Sequence, residues 1–323
     1  MNYLVLTPEG VGSTYLQTAI TLHLNSAGYK YYNTHELLTG VSVYNNALVK
    51  DPIDYEPPLK QLCELIQNNT APTVSRIAML HVRGRQTELG DEDYRQLYTV
   101  CNSHYHKKLY CVRDPFEYAL SWSIRDITGE ANIFEVKHRT LHHNDSQTYD
   151  IDTNFFTNKL NELKEYEYWV LDNFPDAIPI EYDELHKDVD SVLQKVIDVP
   201  RSIADRWKLS LQEYSKVRYC VNKYSQTKDP IFLFDKQLAP KVVALHKYIC
   251  MLVDKKQLYS AIPIKMNTLQ DKRRRVNNFD LSLDLYNSWA KDTNRYAQIS
   301  QSEIEDRIKQ EQSLYVNKRL FSL

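Results

Sequence analysis

Twice in this chain an apolar stretch with strand character runs into a short turn and then a helix start. Residues 2–7 lead into Pro8-Glu9-Gly10-Val11-Gly12-Ser13-Thr14-Tyr15-Leu16, and residues 108–112 lead into Arg113-Asp114-Pro115-Phe116. A strand, a tight turn and a helix in quick succession are the building unit of a parallel sheet covered by helices, with ligands at the carboxyl ends of its strands. Helix starts placed there expose N–H groups and the positive end of the helix dipole, which together attract an anion. Pro115 suits the first turn of its helix, where a missing N–H costs nothing.

The rest of the chain repeats the alternation. Helices are expected over 13–25, 59–67, 92–102, 115–125, 155–173 and 189–197, and strands over 29–33, 76–82 and 177–181. Beyond Pro200 the pattern is mainly helical, and beyond Pro263 it turns polar. Ser302 and Glu305 form a capping-box pattern ahead of Ile308 and Tyr315, within which Ile304 also recurs at near-helical spacing. The expected fold class is α/β: a central, mainly parallel sheet flanked by helices, in a domain over 1–264, with a helical C-terminal extension over 265–323.

Composition narrows the function. With 42% hydrophobic and 25% charged residues the 323-residue chain is ordinary for a globular protein, and a formal charge of −2 gives no net attraction to nucleic acid or an anionic membrane. Apolar runs such as 77–82 fall far short of the roughly 20 residues that span a bilayer. The start, Met1-Asn2-Tyr3-Leu4-Val5-Leu6, lacks the basic residues and cleavage site of a signal peptide. Five scattered cysteines (Cys63, Cys101, Cys111, Cys220, Cys250), with no CxxC pair, read as reduced thiols. A cytoplasmic location is the expectation.

The loop Gly10-Val11-Gly12-Ser13-Thr14 lacks the lysine of the nucleoside-triphosphate pattern GxxxxGK[ST], which counts against ATP or GTP hydrolysis. Gly12-Ser13-Thr14-Tyr15-Leu16 resembles the Gly-Thr-Thr-Trp-Leu of sulfotransferases, enzymes that use 3′-phosphoadenosine 5′-phosphosulfate (PAPS) as sulfuryl donor. Arg113 and Ser121, eight residues apart, match the arginine and serine that grip the donor's 3′-phosphate in that family. Glu181-Tyr182-Asp183-Glu184-Leu185 is similar to the family's Tyr-Glu-Asp-Leu segment, whose tyrosine contacts the adenine region. Arg76-Ile77-Ala78-Met79-Leu80-His81 resembles the strand that ends in its catalytic histidine. The resemblance covers about residues 1–200.

It implies a P-loop-type sulfotransferase fold, PAPS as cofactor with 3′,5′-adenosine bisphosphate as product, and a small-molecule, glycan or peptide acceptor. Gly10, Gly12, Ser13, Thr14, Tyr15, Arg113, Ser121 and Tyr182 then bind the donor, and His81 is the general base, with a pKa suited to taking an acceptor's proton. One departure matters: Gly10 stands where the family has the lysine that meets the leaving oxygen. Arg83 or Arg85 is the expected substitute. Glu9 and Glu88 are reserve bases.

Plainer readings stay open beside these. Short glycine patterns also serve as ordinary strand-to-helix turns, a lone arginine forms ion pairs, and most of the 24 tyrosines fill core or surface. A P-loop kinase or nucleotidase, or a sulfotransferase-like binding module without catalysis, are the alternatives. His138, His142 and His143 read as a polar loop rather than a metal site. Lys272-Arg273-Arg274-Arg275 reads as a solvated basic turn or a site for an acidic partner.

Overall fold

The computed structural model describes residues 1–26, 31–39, 41–44, 47–50, 57–79, 82, 91–128, 148–187, 189–197 and 269–320. In chain order the elements are β1 (Tyr3–Thr7), α1 (Ser13–Ser26), β2 (Tyr32–Glu36), β3 (Val41–Tyr44), β4 (Ala47–Lys50), α2 (Leu59–Asn68), β5 (Thr73–Ala78), α3 (Asp91–His104) and β6 (Lys107–Val112). Then follow α4 (Pro115–Thr128), α5 (Thr153–Asn173), β7 (Ile178–Glu181), α6 (Tyr182–Lys187), α7 (Val189–Val196), α8 (Leu269–Arg275), α9 (Phe279–Thr293) and α10 (Gln301–Leu320). By its contacts the chain divides into two compact units, Met1–Arg113 with Lys164–Ile262, and Asp114–Leu163 with Pro263–Leu323.

The first unit is built on a five-stranded sheet in the order β2-β5-β1-β6-β7, with every neighbouring pair parallel. This is the expected α/β class. Each residue of β1 is buried, as both faces of a covered parallel sheet require. Helix α1 packs on it partly through Gln17, whose buried amide donates to Val74 O at 3.0 Å. Helix α2 buries Leu59, Leu62, Cys63 and Ile66, the i, i+3, i+4, i+7 stripe of an amphipathic helix. Several polar groups inside are paired: Tyr166 donates to Leu6 O at 2.9 Å, and Thr34 and Tyr105 both donate to the Ser75 hydroxyl, at 2.8 and 2.7 Å. A separate antiparallel pair joins β3 and β4.

The connections on the two sides of β1 run in opposite directions. From β1 the chain moves to β2 and β5 on one side, whereas from β6, the other neighbour of β1, it moves on to β7. The carboxyl ends of β1 and β6 therefore flank the topological switch point, where open α/β sheets take their ligands.

Strand β5 ends at Ala78 rather than extending over 76–82. Its register on β1 pairs Tyr3 with Val74 and Thr7 with Ala78, so β1 offers no partner beyond that residue. The buried Glu36 carboxylate closes the strand end, accepting from Ala78 N at 3.1 Å while its other oxygen takes Arg76 Nε at 3.2 Å.

The second unit has its own core, in which Phe116 and Leu120 of α4 and Phe156 of α5 meet Phe279, Leu283, Tyr286 and Trp289 of α9 and Ile304 of α10. Asn278 exchanges two bonds with Ile151, accepting at 2.8 Å and donating at 2.9 Å. The basic run 272–275 is not a solvated turn. It forms the last turn of α8, with Lys272 buried at 2% exposure and bonded to Glu117 at 3.2 Å, while Arg273 pairs with Glu305. The capping box also sits two residues earlier than expected. Ser300 precedes α10, its hydroxyl accepts from Glu303 N at 3.2 Å, and the Glu303 carboxylate accepts from Ser300 N at 2.7 Å.

Among the described residues no helix is long and apolar enough to cross a membrane, and no cluster of metal-ligating side chains occurs. Cys63, Cys101 and Cys111 are buried free thiols, and burial pushes the Cys111 pKa up to about 12. Cys220, Cys250, His138, His142 and His143 lie outside the described residues.

Candidate donor-binding site

The loop after β1 takes its shape from two glycines. Gly10 and Gly12 have φ of 77° and 75°, a region that L side chains reach only at a steric cost. Between them Val11 is fully buried, which pins the turn to the core, while Gly10 is exposed. Gly12 acts as the helix cap: its carbonyl accepts the first bond of α1 from Leu16 N at 3.0 Å. Ser13, buried at 6% exposure, opens the helix, and Thr14 and Tyr15 continue its first turn. No acidic residue stands in that turn, so its positive end is not neutralised from within.

Arg113 follows β6 directly and reaches this loop. Its Nη1 donates to Gly10 O at 2.8 Å, and its guanidinium carbon lies 4.5 Å from the centroid of the Tyr182 ring. Tyr182 opens α6 at the end of β7, so three strand ends contribute to one cluster. The ring also abuts the loop. A Cβ added at Gly12 would stand 3.3 Å from both Cδ2 and Cε2 of Tyr182 and 3.6 Å from Cδ2 of the buried Leu185, so a side chain there would press on the ring in addition to the strain of the positive φ.

The electrostatics of the cluster are mixed. Beside the basic Arg113 stands Glu181, which belongs to an acidic group at the start of α6. Its carboxyl is held above the ordinary range, first by loss of hydration and then by repulsion from Glu184, Asp183 and Glu167. Glu184 is itself paired with Lys195 at 2.8 Å.

The structure thus brings together Gly10, Gly12, Arg113 and Tyr182, with Ser13 at the adjoining helix start. Ser121 lies two turns into α4, in the second unit, and is half-buried. His81, Arg83, Arg85 and Glu88 lie outside the described residues, and Glu9 is half-buried in the loop. Sequence reasoning missed Glu36, the buried carboxylate that braces the end of β5 beside β1. Its one sequence signal is an acidic residue followed directly by Leu37-Leu38, both buried.

The amino end of α4 is organised differently from that of α1. Asp114 accepts from Glu117 N at 2.9 Å, and its other oxygen takes Arg307 Nη1 at 2.8 Å. Glu117 in turn holds Lys272. Here the chain's own carboxylates occupy the helix start, whereas the first turn of α1 holds no acidic residue of its own.

No protein-family model matches the chain, and no curated protein sequence matches it. Among solved structures the chain is similar to a crystal structure of retinol dehydratase in complex with androsterone and inactive cofactor PAP, at 12% identity and a TM-score of 0.34, over 93% of this chain and 82% of that chain.

Proposed function

We propose that the chain is a sulfotransferase: it binds PAPS at the carboxyl ends of β1, β6 and β7 and transfers the sulfuryl group to a hydroxyl or amine of a small molecule, glycan or peptide. The observation that carries this reading is the convergence of the Gly10–Gly12 loop, Arg113 and Tyr182 at the switch point of the sheet. The donor supplies an activated sulfuryl group. Four tasks then fall to the chain's own residues.

Backbone N–H groups of the loop and of the first turn of α1, over Gly12, Ser13, Thr14 and Tyr15, hold phosphate oxygens. Arg113 binds a second phosphate, for which its planar array of five donors is suited. His81 takes the proton of the acceptor as its new bond forms, and Arg83 or Arg85 meets the charge on the departing oxygen in place of the lysine that Gly10 replaces.

Two substitutions separate binding from chemistry. Arg113→Ala weakens adenosine 3′,5′-bisphosphate by about 1.5–3 kcal/mol in calorimetry, the range for hydrogen bonds to charged groups. His81→Ala slows sulfuryl transfer by about 10²–10⁴-fold while leaving that affinity nearly unchanged. Equal affinities for wild type and Arg113→Ala would sink the phosphate assignment.

A second reading, a donor-binding module without catalysis, is favoured by one observation: at the position of the missing lysine, the Gly10 carbonyl is bonded to Arg113. Tight donor binding with no sulfate transferred in a broad screen of acceptors with radiolabelled donor selects it.

A further inference from the structure

We infer that Tyr182 is a positioning residue for Arg113, holding the guanidinium in place before any ligand arrives, rather than a platform for the donor's base. This rests on the donor-site reading above and changes the role that the resemblance gives to Tyr182. Two contacts help to fix the guanidinium. Nη1 is bonded to Gly10 O at 2.8 Å, and Cζ lies over the Tyr182 ring, 4.5 Å from its centroid. Arginine stacks on aromatic faces because its charge is delocalised and weakly hydrated, and the ring's negative face attracts it.

The ring is equally constrained. Its Cδ2 and Cε2 edge lies so close to Gly12 that a methyl group there would be at 3.3 Å, and Leu185 packs beside the same point. A ring with one face under a guanidinium and one edge against the loop is placed to orient that guanidinium. A long, flexible side chain held this way loses less freedom when an anion binds, which is the general gain from preorganisation. The same geometry ties the end of β6 to the loop after β1, so one residue at the start of α6, just after β7, sets the relation of two anion-binding elements.

The test uses the full chain with Tyr182→Phe, Tyr182→Leu, Arg113→Gln and the double variant Tyr182→Leu/Arg113→Gln. Two readouts are taken. In ¹⁵N-labelled protein without ligand, the Nε–Hε cross-peak of Arg113, assigned by its loss in Arg113→Lys, is displaced by the ring current. Calorimetry gives the affinity of each variant for adenosine 3′,5′-bisphosphate and for pyrophosphate, an anion with no base.

The inference predicts that Tyr182→Phe keeps the displaced cross-peak and binds both anions within about twofold of wild type, because the ring is retained. Tyr182→Leu returns the cross-peak to the ordinary arginine region and weakens both anions by a similar factor, roughly 2–30-fold for a cation–π contact. In the Arg113→Gln background, Tyr182→Leu adds nothing further. The inference is overturned if Tyr182→Leu leaves the cross-peak unmoved, weakens the bisphosphate alone, or costs as much without Arg113 as with it. It is also overturned if Tyr182→Phe loses as much as Tyr182→Leu, which would assign the role to the hydroxyl. A wild-type protein that binds neither anion removes the donor-site reading, and the cross-peak in Tyr182→Phe and Tyr182→Leu then decides the positioning role by itself.

Discussion

Glu181 closes β7 immediately before Tyr182, so the cluster that holds Arg113 has an acidic residue built into its base. The raised pKa of Glu181 means that the folded state binds a proton which the unfolded chain gives up at the same pH. Its contribution to stability is therefore fully present below the unfolded pKa of about 4.3 and is lost as pH rises through the higher folded value. Glu181→Gln removes the penalty of ionising this carboxyl. Its melting temperature should exceed that of wild type at pH 7, and the gain should shrink as pH falls toward 4.5; a gain independent of pH would contradict the shift. At this scale part of the site was legible. Gly12 and Arg113 stood out because a helix start after a strand, and an arginine at a strand end, are local patterns. The contact of Tyr182 with Arg113 and the brace at Glu36 were not, because each joins residues distant in sequence that no local pattern reports.

Element boundaries were set by partners more often than by propensity. Apolar character continues past Ala78, which is why residues 76–82 looked like a strand, but β5 stops where β1 stops. The amino end of α10 shows the same principle on a smaller scale. Both Ser300 and Ser302 have an acidic residue three positions on, yet Glu305 is engaged by Arg273 while Glu303 folds back on Ser300. The Glu303 carboxyl is held below the ordinary range chiefly by its bonds with Ser300. Ser300→Ala should lower the stability of the protein to urea by about 1 kcal/mol, as expected for an N-cap. Ser302→Ala should have a smaller effect. Equal losses would place the cap wrongly. In the run 272–275 the solvated reading fails at Lys272, because charge alone suggests solvent whereas Lys272 is buried against the acidic Glu117, which sits far away in sequence.

At the scale of the whole chain, the alternation of strands and helices was enough to give the parallel sheet, since few other folds accept that order of elements. The strand order, and with it the switch point beside β1, was not written in the alternation; it arises from which strands pair. That order gives the two motifs a common meaning, because it makes the strands that carry the Gly10–Gly12 loop and Arg113 neighbours. The central claim is that this arrangement receives a nucleotide with phosphates on both the 3′ and 5′ positions, not a 5′-polyphosphate, for which the loop lacks the lysine. A direct calorimetric comparison of adenosine 3′,5′-bisphosphate, ADP and ATP with the full chain tests it. The account predicts that the bisphosphate binds most tightly and that Arg113→Ala removes most of its advantage over ADP; tighter binding of ATP or ADP than of the bisphosphate would contradict it.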